Sequence, residues 1–275
     1  MKQSNQIEMS LILKDFEKGN EVSAYNNIIK YLINYPNDES ALYNSAYMAE
    51  KIGYINEAII KYKKIIKKNS NHWRSINNLY LIYFHQQKYS ESLVLVNSVL
   101  EIKPNYQPVL RDKAHILYHL QKLNTALEVI IKSLKLNPND YIALNVMGMI
   151  YSGMGSEETA IKIYNQALLI KKNYYPTYNN LAKCLNILKR VDEAEKNLKY
   201  CLNLKPDFDE AINNLGNVYT VSGQYKKAIP LYKKILKKNK DHQHANLNIA
   251  ISYFFLGNEI KAEKHFLITK KINPN

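Results

Sequence analysis

One spacing constrains this chain more than any other feature: residues recur every 34 positions. Pro36, Pro104, Pro138, Pro206 and Pro274 are separated by 68, 34, 68 and 68 residues. Ala24, Ala58, Ala126, Ala160, Ala194, Ala228 and Ala262 lie on the same grid, with Ser92 in the remaining slot. Gly19, Gly53, Gly155, Gly223 and Gly257 share a third phase. A fixed period without insertion or deletion means one supersecondary unit used repeatedly, not an irregular globular core. Framed from Asn5, eight units run 5–38, 39–72, 73–106, 107–140, 141–174, 175–208, 209–242 and 243–275.

Each unit reads as two helices. In 209–242, Ile212, Leu215, Gly216 and Tyr219 keep 3-4 spacing, and Gly223 supplies the left-handed residue that ends this helix A. Ala228, Tyr232 and Ile235 mark the apolar stripe of a helix B. A Pro-Asn or Pro-Asp pair then turns the chain out of the helix in most units. The small residue at repeat position 20, with Ala or Gly at position 8 in six units, lets the two helices approach closely. Large residues at positions 4, 7, 11 and 24 fill the space between them. One hairpin cannot bury both faces, so the units must stack.

The segment DEAINNLGNVYTVSGQYKKAIPLYKKILKKNKD closely resembles the tetratricopeptide repeat, and the resemblance extends over residues 5–275. It implies an all-α fold, a right-handed α-solenoid of eight 34-residue helix-turn-helix repeats forming one domain over 1–275. The family's signature residues are packing residues, so they carry fold rather than function. Three places depart from the pattern. Asp15 stands at position 11, where Tyr or Leu is usual, and marks unit 5–38 as a wetter N-terminal cap. Pro230 falls inside a helix B and predicts a mild kink. The chain stops at Asn275, one residue short of a full unit and without the solvating helix usual in this family. Part of the apolar side of 260–272 is then expected to be uncovered; truncation, a missing C-terminal domain or a covering partner would each account for it.

Hydrophobic residues make up 46% of the chain, enough for a packed core. Two cysteines exclude a disulfide-rich scaffold and a four-cysteine zinc site, and Cys184 and Cys201 read as small packing residues. No run approaches ~20 apolar residues, so no membrane-spanning helix is expected, and the polar start points to a cytoplasmic protein or to one whose targeting segment lies outside this sequence. The net charge is +14, with 38 Lys and Arg against 24 Asp and Glu. Only Arg74, Arg111 and Arg190 are arginine, which disfavours bidentate phosphate or base recognition. The surplus concentrates at positions 25–33, the end of helix B and the exit turn, which hold 19 basic residues against three acids. Helix C-termini favour cations, so a dipole-matched solvated edge is one reading and a basic ridge for an acidic partner the other.

The resemblance places helix A on the concave surface, with positions 2, 5, 6, 9, 12 and 13 facing into a groove. The charged residues there cancel: Arg74, Arg111, Lys183 and Lys51 against Glu210, Asp112, Glu50 and Glu17. A neutral groove argues against a nucleic-acid backbone lying in it. Position 6 holds Asn44, Asn78, Asn180, Asn214 and Asn248, and position 5 adds Asn77, Asn145, Asn179 and Asn213. A carboxamide both donates and accepts, so one per repeat suits an extended peptide backbone. The pattern is similar to that of the superhelix of O-linked N-acetylglucosamine transferases; it also matches the family's Asn preference at position 6. The N-terminal half is more aromatic, with Tyr43, Tyr47, Phe84 and Tyr118 suited to apolar ligand side chains.

In unit 107–140, Arg111, Asp112, His115 and His119 fall on the groove side and read as a polar, pH-sensitive specificity spot. The histidines are expected to be unconstrained on a solvent-lined surface. No carboxylate constellation completes a metal site with them or with His85, and no metal or cofactor is expected. The carboxylate clamp of chaperone-binding family members is absent: Arg111 is followed by His115, Val146, Pro176 and Asn180. No phosphate loop, nucleophile elbow or carboxylate pair suggests catalysis. The expectation is a non-enzymatic scaffold for a protein or extended peptide. The alternative is a module of a larger glycosyltransferase- or sulfotransferase-type enzyme with its catalytic domain elsewhere.

Overall fold

A computed structural model describes residues 2–272, with side chains from Ile7 onward. The fold is all-α: the described residues form sixteen helices arranged as eight antiparallel hairpins of an α-solenoid. They group into two compact bodies, Met1–Leu136 and Asn137–Asn275. The first holds α1 (Lys2–Glu17), α2 (Glu21–Asn34), α3 (Glu39–Lys51), α4 (Ile55–Lys68), α5 (Trp73–His85), α6 (Tyr89–Ile102), α7 (Gln107–His119) and α8 (Leu123–Leu136). The second holds α9 (Tyr141–Gly153), α10 (Glu157–Ile170), α11 (Tyr175–Ile187), α12 (Val191–Leu204), α13 (Asp209–Val221), α14 (Tyr225–Lys238), α15 (Gln243–Phe255) and α16 (Glu259–Ile272).

Every hairpin turns at repeat position 15. The expected glycines have positive φ, as do Gln87, Gln121 and Lys189 in the three remaining slots. The turn closes with paired backbone bonds: Tyr54 N–H donates to the Ala49 carbonyl at 2.7 Å and Gly53 N–H to that of Glu50 at 3.2 Å. The left-handed residue is thus required by hydrogen-bond closure, whatever its side chain. Helix A starts on side-chain caps in four places. Asp38 accepts from Ala41 N–H, Asp140 from Ile142 and Ala143, and the rings of His72 and His242 accept from Ser75 and Ala245.

The core lies between helices A and B and between successive hairpins. Position 24 is sealed in seven units, from Ile28 and Tyr62 to Leu198 and Tyr232. Volumes at positions 8 and 24 trade against each other. Where position 8 is Gly216, a Cβ would stand 2.6 Å from the Tyr232 ring; where it is Tyr80, position 24 is Val96. Position 3 is a further close-approach site, occupied by Ala41, Ser75, Val109, Ala143, Thr177, Ala211 and Ala245, all essentially fully buried. Helix α14 runs unbroken through Pro230. Cys184 and Cys201 are buried free thiols, pushed up to about 12 and about 11 by desolvation. On α16, Ile260, Phe266 and Leu267 are exposed. No described helix is long and apolar enough to cross a membrane.

Candidate peptide-binding groove

In the 137–275 body, successive helices A touch one another: α9 contacts α11, α11 contacts α13, and α13 contacts α15. This close approach is sealed by carboxamides. Asn180 Nδ2 donates to Asn145 Oδ1 at 3.2 Å, and Asn214 Nδ2 donates to Asn179 Oδ1 at 2.8 Å. The position-6 Asn of one repeat therefore grips the position-5 Asn of the repeat before. Asn145 Oδ1 also accepts from the buried Thr177 hydroxyl at 3.0 Å. The next step breaks the pattern: the Asn248 amide turns to the Tyr232 hydroxyl, and Asn213 Oδ1 is left buried without a donor.

In the 1–136 body the partners are phenols. Asn78 Nδ2 donates to Tyr62 Oη at 2.9 Å and reaches Tyr43 Oη at 3.3 Å. Tyr62 in turn donates to Glu50 at 3.1 Å. Burial and the neighbouring Glu50 carboxylate raise the Tyr62 pKa, and desolvation raises that of Tyr43. Asn44 is half-buried on the same face. Tyr47 is more exposed, beside Phe16 and under the Lys51 ammonium at 5.0 Å.

Around α7 the sequence expectation needs correcting. His115 and His119 are not unconstrained: their Nε2 atoms lie 3.2 Å apart, so one ring donates and the other accepts. Phe84 packs on both rings, at 4.9 and 5.7 Å, and Tyr89 stacks on His119 at 4.4 Å with an interplanar angle of 1°. Tyr118 closes another side of His119 at 5.3 Å. Burial, then His119 and Arg111, lower the His115 pKa to about 4; burial also lowers that of His119. Arg111 is held by Asp112 at 3.1 Å, and Asp112 also accepts from Tyr80 at 2.9 Å. Phe84, Arg111, His115 and Tyr118 are thus brought to one place. His119 and Tyr89 belong with them, and the i,i+4 spacing of the histidines was the available signal. Tyr89 comes from helix B, so the helix-A face pattern does not reveal it.

These interlocking hairpins define the class: a helical-repeat solenoid with polar and aromatic residues along its helix-A face. Family comparisons agree. The model for the Psidin N-terminal TPR repeats region matches residues 73–185, and tetratricopeptide repeat models match 175–208 and 209–242. Together the three spans cover more than half of the chain, which belongs to the tetratricopeptide repeat family. No curated protein matches it. Solved structures share the fold at low identity. A tetratricopeptide repeat protein from Parabacteroides merdae aligns with a TM-score of 0.80 at 16% identity, over 91% of this chain and 99% of its own. The Cut9–Hcn1 hetero-tetramer of the APC/C gives 0.74 at 15% identity, over 93% of this chain and 50% of the other. YrrB, described as a TPR protein with an unusual peptide-binding site, gives 0.51 at 19% identity, over 66% and 93%.

Proposed function

We propose that this chain is a non-enzymatic, cytoplasmic interaction scaffold that binds a partner protein through an extended segment lying along the helix-A face. One observation carries the reading. Asn78, Asn180 and Asn214 are half-buried and spend Nδ2 on bonds within the protein, while no described residue donates to their Oδ1 atoms. Fixed acceptors at one repeat position, adjacent in the second body at Asn180 and Asn214, suit the N–H groups of an extended backbone and are indifferent to its side chains. Each such bond contributes about 0.5–1.5 kcal/mol net, so several must act together. Tyr43, Tyr47, Phe84 and Tyr118 add apolar contact in the first body, and the YrrB precedent supports peptide binding on this scaffold.

The test is selection of peptides from a random library on the full chain, followed by calorimetry. Replacing Asn180 and Asn214 together by Ala should weaken selected peptides about tenfold or more, as loss of two backbone contacts requires. Circular dichroism serves as the folding control. Unchanged affinity in a folded double variant would refute the role of these acceptors.

A further inference from the structure

Two lysine-rich helix-B ends occupy equivalent repeat positions and differ in how their charge is met. In the second body, Lys238 Nζ donates to Asp209 at 2.7 Å and to the Asp207 carbonyl at 3.4 Å. Lys234 Nζ donates to the Pro206 carbonyl at 2.9 Å and lies 3.5 Å from the Asp207 carboxylate. The protein's own acids neutralise both ammonium groups. In the first body, Lys64 and Lys68 stand at the same repeat positions, below Pro36 at the place of Pro206. Here Asn37 replaces Asp207. Glu39, at the place of Asp209, is turned to Asn69 at 3.1 Å and His72 at 3.9 Å. Lys64, Lys67 and Lys68 are exposed and make no hydrogen bond or ion pair with described residues. With Asn37 and Glu39, whose carboxylate is engaged by Asn69, they rim a cavity of about 320 Å³ with apolar lining from Pro36, Leu42 and Ile65.

We propose that this cavity docks an acidic segment of a protein partner, its carboxylates taking the places that Asp207 and Asp209 hold in the second body. The molecule contains its own template of the occupied state, and that template is built from carboxylates. The three cations are lysines, point charges that meet carboxylates without bidentate geometry, and no arginine lines the cavity. The apolar lining accepts the methylenes of a Glu side chain, and the volume holds one or two side chains rather than a nucleic-acid strand. The site lies at the end of α4, apart from the helix-A face, so it stands or falls independently of the groove.

The experiment is fluorescence anisotropy of a labelled oligoglutamate on the full chain at low ionic strength, with oligoglutamine as the uncharged control. Lys64→Ala with Lys68→Ala should weaken binding about tenfold, as loss of two exposed charge pairs predicts. Asn37→Asp, which installs the internal acid of the second body, should weaken it about threefold. Asp207→Asn with Asp209→Asn should open an equivalent site and add one oligoglutamate per chain. All substitutions are on exposed or half-exposed positions, and circular dichroism checks the fold. Affinity within about twofold of wild type in the double-lysine variant would overturn the proposal. So would oligothymidylate of equal charge binding the same lysines more tightly than the peptide.

Discussion

The helix-A face is built twice on one plan, with opposite chemistry. In residues 137–275 the seam between helices A is neutral: Asn180 grips Asn145 and Asn214 grips Asn179, and these groups do not titrate near neutral pH. In residues 1–136 it is titratable: Asn78 bonds Tyr62 and Tyr43, and a histidine pair sits under Phe84 and Tyr89. Position 6 is therefore first a device for holding one repeat to its neighbour, and only then a candidate ligand contact. The difference also says where acidity should act. Protonating both histidines sets two positive rings 3.2 Å apart beneath aromatic cover.

The largest effect follows from that contrast. His115 is neutral in the fold to about pH 4 but titrates at 6.5 when unfolded. Between those values the unfolded chain binds more protons, so stability is full above 6.5 and falls as pH drops toward 4. The loss approaches about 3 kcal/mol. Hydrogen exchange, corrected for intrinsic rates, should show α7 losing protection at pH 5 while α11 and α13 keep theirs. His115→Leu should flatten the response, and equal acid sensitivity in both bodies would break the comparison. Next, Asn145→Ala removes the acceptor shared by Asn180 and the buried Thr177 hydroxyl, at a cost of about 2 kcal/mol in urea unfolding. Asn78→Ala leaves Tyr62 its bond to Glu50 and should cost about 1 kcal/mol. A larger loss for Asn78 than for Asn145 would reverse the ranking of the two seams. The smallest effect is a gain. Lys189→Gly relieves a left-handed backbone at φ 59° and should stabilise the second body by about 0.5–1 kcal/mol in thermal unfolding.

The fold was legible because its constraints are periodic. A small residue must recur wherever two helices cross, so Ala at position 20 and Gly or Ala at position 8 announce the hairpin. The turn was legible only where glycine fills it. Gln87, Gln121 and Lys189 adopt the same left-handed conformation because hairpin closure outweighs the local steric cost. The small residues at position 3 carry an equally regular signal, from Ala41 to Ala245, that the helix-face reading passed over. At the groove, the face of each Asn was legible, but its partner one repeat away was not, since either atom of a carboxamide can turn inward. The histidine pair was misjudged for a related reason. Its constraint comes from Phe84 and Tyr89 on another hairpin, a tertiary cover with no period of its own.

The bonds that stitch one hairpin to the next have short reach along the chain. Asn180 to Asn145 and Asn214 to Asn179 each span 35 residues, Tyr80 to Asp112 spans 32, and Lys61 to Tyr25 spans 36. Loop closure for each such contact is then set by the repeat length and not by the length of the protein. A ribosome need release only one more hairpin before the previous one can be latched. Order can grow stepwise from the emerging end during synthesis, each step on much the same clock as the last.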